Sequence, residues 1–253
     1  MSLMRRHQAE VYHQATLKAV VAANRSHQVD EYRLMLNRMH QDQQQLKQLP
    51  DHLERNRKAV EEFLPNYLGY LRAWLAAGQT HQNDVLTQCV VWVVDGGRWD
   101  LLQELAGAAL RLSLPLHWMK RSLAEFVADG VFRAAEAVHK TRLKTPEAAL
   151  SPSEQAIFSA FWWVQQSLSQ AEHGWAQANQ VIRARFHKLA GVLSLQKGNL
   201  PAAYEHFSEA DRLYPNIAVK GKLKEVEAAL ATDSSVAQQP QPVSTAPALS
   251  SGG

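Results

Sequence analysis

Cysteine is almost missing from this chain of 253 residues, in which Cys89 stands alone. A single thiol excludes an intrachain disulfide and any zinc site built on cysteines. Cys89 sits in the apolar run Val85 to Val94 and reads as a small buried hydrophobe. Long hydrophobic stretches are missing as well, and none approaches the ~20 residues of a membrane helix. The opening Met-Ser-Leu-Met-Arg-Arg-His-Gln lacks the apolar region of a secretory signal. The expectation is a soluble protein of a reducing compartment, with no membrane partner.

Catalytic signatures are equally scarce. A Gly-x-x-x-x-Gly-Lys-Ser/Thr loop is absent, so any ATP hydrolysis belongs to a partner. The 11 histidines are scattered, and none forms a His-Glu-x-x-His pair. Metal-dependent nucleases need several carboxylates, or histidines with an acid, converging on one or two ions. Pro50-Asp51…Glu54 and His13…Asn24…His27 carry letters of two nuclease motifs without the pattern around them. No catalytic residue, metal ligand or cofactor is assigned.

Charge of one sign is not in large excess. A net charge of +3 and a pI near 9.0 permit an anionic partner without demanding one. What the chain does have is apolar residues, at 46%, enough for a sizeable core.

The segment from Asp84 to Leu112 organises the rest. Val85 to Val94 is apolar nearly all round, which marks a helix buried against other helices. Asp95-Gly96-Gly97 stops it, since glycine takes the left-handed conformation of a helix end at no steric cost. Asp100 or a near neighbour is expected to cap the following Leu- and Ala-rich helix, giving an antiparallel hairpin.

Upstream, glycine is absent until Gly69 and proline until Pro50. Tyr32, Leu36, Met39, Leu46, Leu49, Leu53, Val60, Leu64, Tyr67, Leu71 and Trp74 follow the three–four spacing of a helix–helix seam. It is interrupted near Gln43, Pro50 and Arg57. Pro50-Asp51 predicts a helix restart, and Pro65 either begins another helix or kinks this one. Downstream, Trp118 to His139 and Ile157 to Leu168 read as amphipathic and core helices. Most of the seven tryptophans are expected in the core.

The last ordered element spans Ala184 to Pro215. Its Gly191, Gly198, Ala203, Phe207, Ala210 and Pro215 have the spacing of a tetratricopeptide helix–turn–helix. From Thr232 the chain is poor in charge and large apolar residues, which predicts disorder. The fold class is therefore all-α. Residues 1–62 form a helical arm, 63–180 a helical core, 181–231 the tetratricopeptide-like hairpin and 232–253 a disordered tail.

Phosphate neutralisation needs clustered cations. One cluster is Arg5, Arg6, Lys18 and Arg25 in the arm, where Glu10 is the one acid up to Arg25; Arg33 and Arg38 follow. The competing reading is a solvated face or an oligomer contact. The other cluster is Lys120 and Arg121 with Arg133, Lys140, Arg142 and Lys144, for which ordinary helix-end charge competes. No helix-turn-helix is written in the arm, so shape or backbone recognition is expected.

Phe63-Leu-Pro-Asn-Tyr-Leu, Gln82-Asn-Asp-Val-Leu and Trp92-Val-Val-Asp-Gly-Gly-Arg-Trp are followed by Leu189-Ala-Gly…Gly198-Asn-Leu-Pro-Ala-Ala…His206-Phe…Ala210. In this order and spacing they resemble the terminase small subunit of temperate contractile-tailed phages. The resemblance covers roughly Phe63 to Leu230. It implies a homo-oligomer, often a ring, that binds the cohesive-end site of concatemeric double-stranded phage DNA in the host cytoplasm. It also implies delivery of that DNA to a large subunit with ATPase and nuclease activity. Two alternatives stand beside it: a helical protein-binding adaptor, and a terminase subunit with its own endonuclease activity.

Overall fold

The computed structural model describes residues 29–144 and 149–237, and every regular element among them is helical. The chain divides into two compact units, Met1–Ala178 and Asn179–Gly253.

The first unit begins, within the described residues, with a helix through residue 47 (α1). The restart expected at Pro50-Asp51 follows: Asp51 caps α2 (His52–Lys58) by accepting from the Leu53 N–H at 3.1 Å. Pro65 does not simply kink the helix. The turn before it widens into a π-helix, Ala59–Phe63, with the Leu64 N–H bonded five residues back to the Ala59 carbonyl at 2.8 Å. A proline ring clashes with the carbonyl four residues earlier, and the wider turn accommodates it. Pro65 then starts α3 (Pro65–Ala76).

Val60, Leu64, Tyr67, Leu71 and Trp74 are buried together, while Leu53, the seam position at the restart, is 65% exposed. The break near Gln43 has a polar explanation. Tyr67 donates its hydroxyl to buried Asp42 at 2.6 Å, and Gln43 donates to Gln88 at 2.7 Å. These bonds tie α1 to α3 and to α4 (Asp84–Asp95), and burial together with Asp42 raises the Tyr67 pKa strongly.

Helix α4 is buried from Val85 to Val94, Cys89 included. Asn83 caps it with a side-chain bond from the Leu86 N–H at 3.0 Å. Gly97, at φ +70°, makes the turn, whereas Gly96 has helical φ and supplies closeness: a Cβ there would collide with Val60. Asp100 does not cap α5 (Trp99–Arg111). It pairs with Arg98 at 2.7 Å, and the cap position, Arg98, makes no side-chain bond to the helix end. The Asp100 carboxylate also accepts from the Asp100 and Leu101 amides, from within the first turn and not from the cap position.

Helix α6 (Leu123–Arg142) starts later than the expected Trp118, because Ser122 and Glu125 form a capping box. A second box, Ser151 with Glu154, opens α7 (Pro152–Gln170), and a short 3-10 turn, His173–Gln177, closes the unit. Gly130 lets α6 cross α4, since a Cβ would meet Val94. Fewer tryptophans are core than expected: Trp74, Trp92 and Trp175 are buried, Trp99, Trp162 and Trp163 are half-buried, and Trp118 lies in the α5–α6 loop, 47% exposed.

The second unit is a hairpin of α8 (Gln180–Gln196) and α9 (Leu200–Leu213), a 3-10 turn Pro215–Ile217, and α10 (Lys220–Ala237). Its core is Ala203, Phe207, Ala210, Val219 and Val226. Helix α10 continues past Thr232, where the composition places the start of a tail. Leu230 packs on that core, and the run Ala228-Ala229-Leu230-Ala231 favours continuation. Residues 238–253 lie outside the described residues. Among the described residues no helix is long and apolar enough to cross a membrane.

Candidate nucleic-acid interface

Arg5, Arg6, Lys18 and Arg25 lie outside the described residues. Past them, α1 exposes Arg33 and Arg38, with the Arg38 guanidinium 5.9 Å from the Tyr67 ring centre.

The second cluster is positioned by the α5–α6 loop and α6. Lys120 is exposed and has no ion-pair partner among the described residues. Arg121 is engaged at home. Its Nη1 is 3.5 Å from Asp129 Oδ2, and its guanidinium lies 4.6 Å from the Phe126 ring centre. Asp129 also takes Arg133 at 3.5 Å. Burial raises the Asp95 pKa, while Arg121 and Arg133 pull it the other way. Lys140 pairs with Glu136 at 2.8 Å, and Arg142 approaches Glu154 at 3.9 Å. Three carboxylates, Asp129, Glu136 and Glu154, thus stand among these six cations, and Lys120 is the exposed charge of the loop.

Beside Lys120, Trp118 edges an open groove of about 570 Å³, whose lining includes Met39, Gln43 and Leu46 of α1 and Gln88 of α4. Its lining is mixed, with Leu36, Met39 and Leu46 beside His40, Lys47 and Asp84. The sequence held one signal for the exposure of Trp118, the Ser122-x-x-Glu125 box that delays α6.

In the second unit, Gly191 admits Phe207: a Cβ on Gly191 would stand 2.6 Å from the ring. Close by, His187 and His206 meet across the hairpin, Nδ1 to Nδ1 at 3.2 Å. Burial lowers both pKa values, that of His187 to about 4, with the charge on His206 adding to the effect. The depressed value sets the sign. The unfolded chain takes up a proton near pH 6.5, the folded hairpin resists it, and stability falls as pH drops from ~6.5 towards ~4. The loss expected for His187 is on the order of 2 kcal/mol once solvent screening of a partly exposed ring is allowed for. Melting curves of wild type and His187→Gln at pH 7.5 and 5 check this: the wild type should lose more than the variant.

The beginning of α10 carries Lys220, Lys222 and Lys224, which belong to neither cluster expected from the sequence. Lys188 of α8 reaches towards them, donating to the Ile217 carbonyl at 2.8 Å. Among the described residues, no three or more His, Cys, Asp or Glu side chains gather as metal ligands would.

The family model described as "Phage small terminase subunit" matches residues 36–160, a span inside the first unit that runs from α1 into α7. This chain carries a phage small terminase subunit domain. The "Probable terminase, endonuclease subunit" of Haemophilus phage HP1 is 28% identical over 138 residues, 54% of this chain and 43% of that protein. The "Terminase, endonuclease subunit" of Escherichia phage P2 is 25% identical over 205 residues, 78% of this chain and 73% of that one. The chain thus spans less than half of the HP1 relative. No solved structure matches it. The matched span contains α4 with its Gly96-Gly97 turn, Lys120 and the residues lining the Trp118 groove. The lysines of α10 lie beyond the family match.

Proposed function

We propose that this protein is the DNA-recognition subunit of a phage packaging terminase. It assembles as a homo-oligomer in the host cytoplasm, binds the cohesive-end site of concatemeric phage DNA and hands it to the ATPase and nuclease large subunit. The observation that carries this reading is the small-terminase match across α1 to α7. In mechanism, each chain contributes a few phosphate contacts, through Arg5, Arg6, Lys18 and Arg25 and through Lys120, and assembly multiplies them into avidity. The second unit recruits the large subunit in this reading. Deletion of residues 181–253 should then abolish large-subunit binding and leave the core folded.

The deciding experiment is solution mass alone and with end-site DNA at two salt concentrations. A defined oligomer whose DNA affinity drops steeply with salt is the expected result. Replacing Arg5, Arg6, Lys18 and Arg25 by Ala should flatten the slope of log K against log salt by about 3–4, near 0.9 for each phosphate left without its cation. A monomer indifferent to DNA would favour the adaptor reading instead. The names of the two relatives favour a second reading, intrinsic endonuclease activity, and divalent-metal-dependent cutting by the isolated chain would establish it.

A further inference from the structure

The charges of α10 run against its own dipole. Lysines occupy positions 220, 222 and 224 at its beginning, where the helix end is already positive, and Glu225 and Glu227 come after them. The favourable order is the reverse, with acids first. None of the three lysines has an ion-pair partner among the described residues, although both glutamates are close along the helix. The apolar residues of the same stretch turn inward: Val219 and Val226 are buried, and Leu223 packs on the core, so they offer no anchor beside the lysines.

A fourth ammonium comes from a different element. Lys188 of α8 is held against the 3-10 turn by its bond to the Ile217 carbonyl, three residues before Lys220. Between Glu172 and Glu205 the sequence contains no acid at all, so α8 brings no carboxylate to the junction. Asp211 of α9 is the acid closest in sequence on the upstream side, and one of its oxygens is buried without a hydrogen-bond partner. An arrangement that costs the isolated helix stability and satisfies no internal partner is what an external polyanion would offset.

We propose that the face of α10 carrying Lys220 and Lys224, one turn apart, together with Lys188, is a phosphate-contact surface for duplex DNA, separate from the N-terminal arm. Lys222 lies on the opposite side of the helix. The inference rests on the DNA-recognition reading above and adds a contact from the second unit. Phosphate rather than an acidic protein face is favoured, because lysines read a backbone as point charges and need no apolar anchor.

The test uses the full chain and fluorescence anisotropy with end-site duplex over a series of salt concentrations. Replacing Lys220 and Lys224 by Ala should flatten the log–log salt slope by about 2. The corresponding Lys→Arg variant should keep the wild-type slope. Folding is not at risk, since removing cations from the positive helix end relieves repulsion, and the Ala variant should melt no lower than wild type. Arg212→Ala, which removes a cation already paired with Glu209 at 2.6 Å, should leave the slope unchanged. Wild type that binds DNA beside an Ala variant with an unaltered slope overturns this inference alone. If that variant instead loses large-subunit binding, the lysines belong to a protein interface, and the inference is equally overturned. Wild type that fails to bind DNA even at low salt overturns the DNA-recognition reading and this inference with it.

Discussion

Phe207→Ala is expected to unfold the second unit. Phe207 is fully buried, fills the space left by Gly191, and sits in a core cluster of five buried residues. Truncating a buried phenylalanine costs about 3–5 kcal/mol, from lost transfer energy and the cavity left behind. A unit of this size is itself stabilised by only a few kcal/mol, at roughly 0.05–0.15 per residue, so the substitution removes most of its stability. Hydrogen exchange should show α8, α9 and α10 losing protection together. Protection equal to wild type would show that the hairpin core is not where the unit's stability lies. Gly191→Ala approaches the same contact from the other side by pushing a Cβ into the ring. Gly191→Ala combined with Phe207→Leu should cost less than the sum of the two single changes, because the smaller side chain yields the space.

Trp92→Ala should destabilise the first unit by a similar amount. Trp92 is 6% exposed, with its ring centre 6.3 Å from that of Phe63 and 5.8 Å from that of Tyr67. The loss combines a cavity with two aromatic pairs, and about 3–5 kcal/mol is expected. For a domain of this size the Tm falls by roughly 10 °C or more, measurable by calorimetry. Trp92→Phe keeps a ring against Tyr67 and should lose less than half as much. If the two variants melted together, the indole would matter only as volume at the ring's far edge. The consequence reaches the proposed interface, because Tyr67, which packs on Trp92, also holds Asp42 of α1.

Much of this architecture was legible in the chain because it is governed locally. The apolar run from Val85 to Val94 implied a buried helix, and the all-helical fold followed from the spacing of apolar residues. The hairpin of α8 and α9 followed from small residues at fixed offsets, since Gly191 and Phe207 identify each other only when the two helices are already inferred. The beginning of α6 was misread for an equally local reason. An apolar Trp118 extends the periodic pattern backwards, while the capping box at Ser122, a polar signal, marks where the helix begins.

The interface was less legible. Counting cations singled out Arg121 without its neighbour Asp129, two turns along α6, which it shares with Arg133. The same counting did not include Lys220, Lys222 and Lys224, which alternate with apolar residues and are followed by Glu225 and Glu227. Whether opposite charges in a sequence neutralise one another depends on side-chain geometry, not on composition.

By itself, then, the sequence determined the helices, the glycine turn after α4, the burial of Cys89 and the absence of a membrane-spanning stretch among the described helices. Each of these depends on residues within a few turns of one another. Tertiary structure decided the Tyr67–Asp42 bond, the meeting of His187 with His206, the exposure of Trp118 and the approach of Arg121 to Asp129. These depend on which faces of separate helices come together, and a hydrogen bond or ion pair exists only once packing has brought its two ends within about 3 Å.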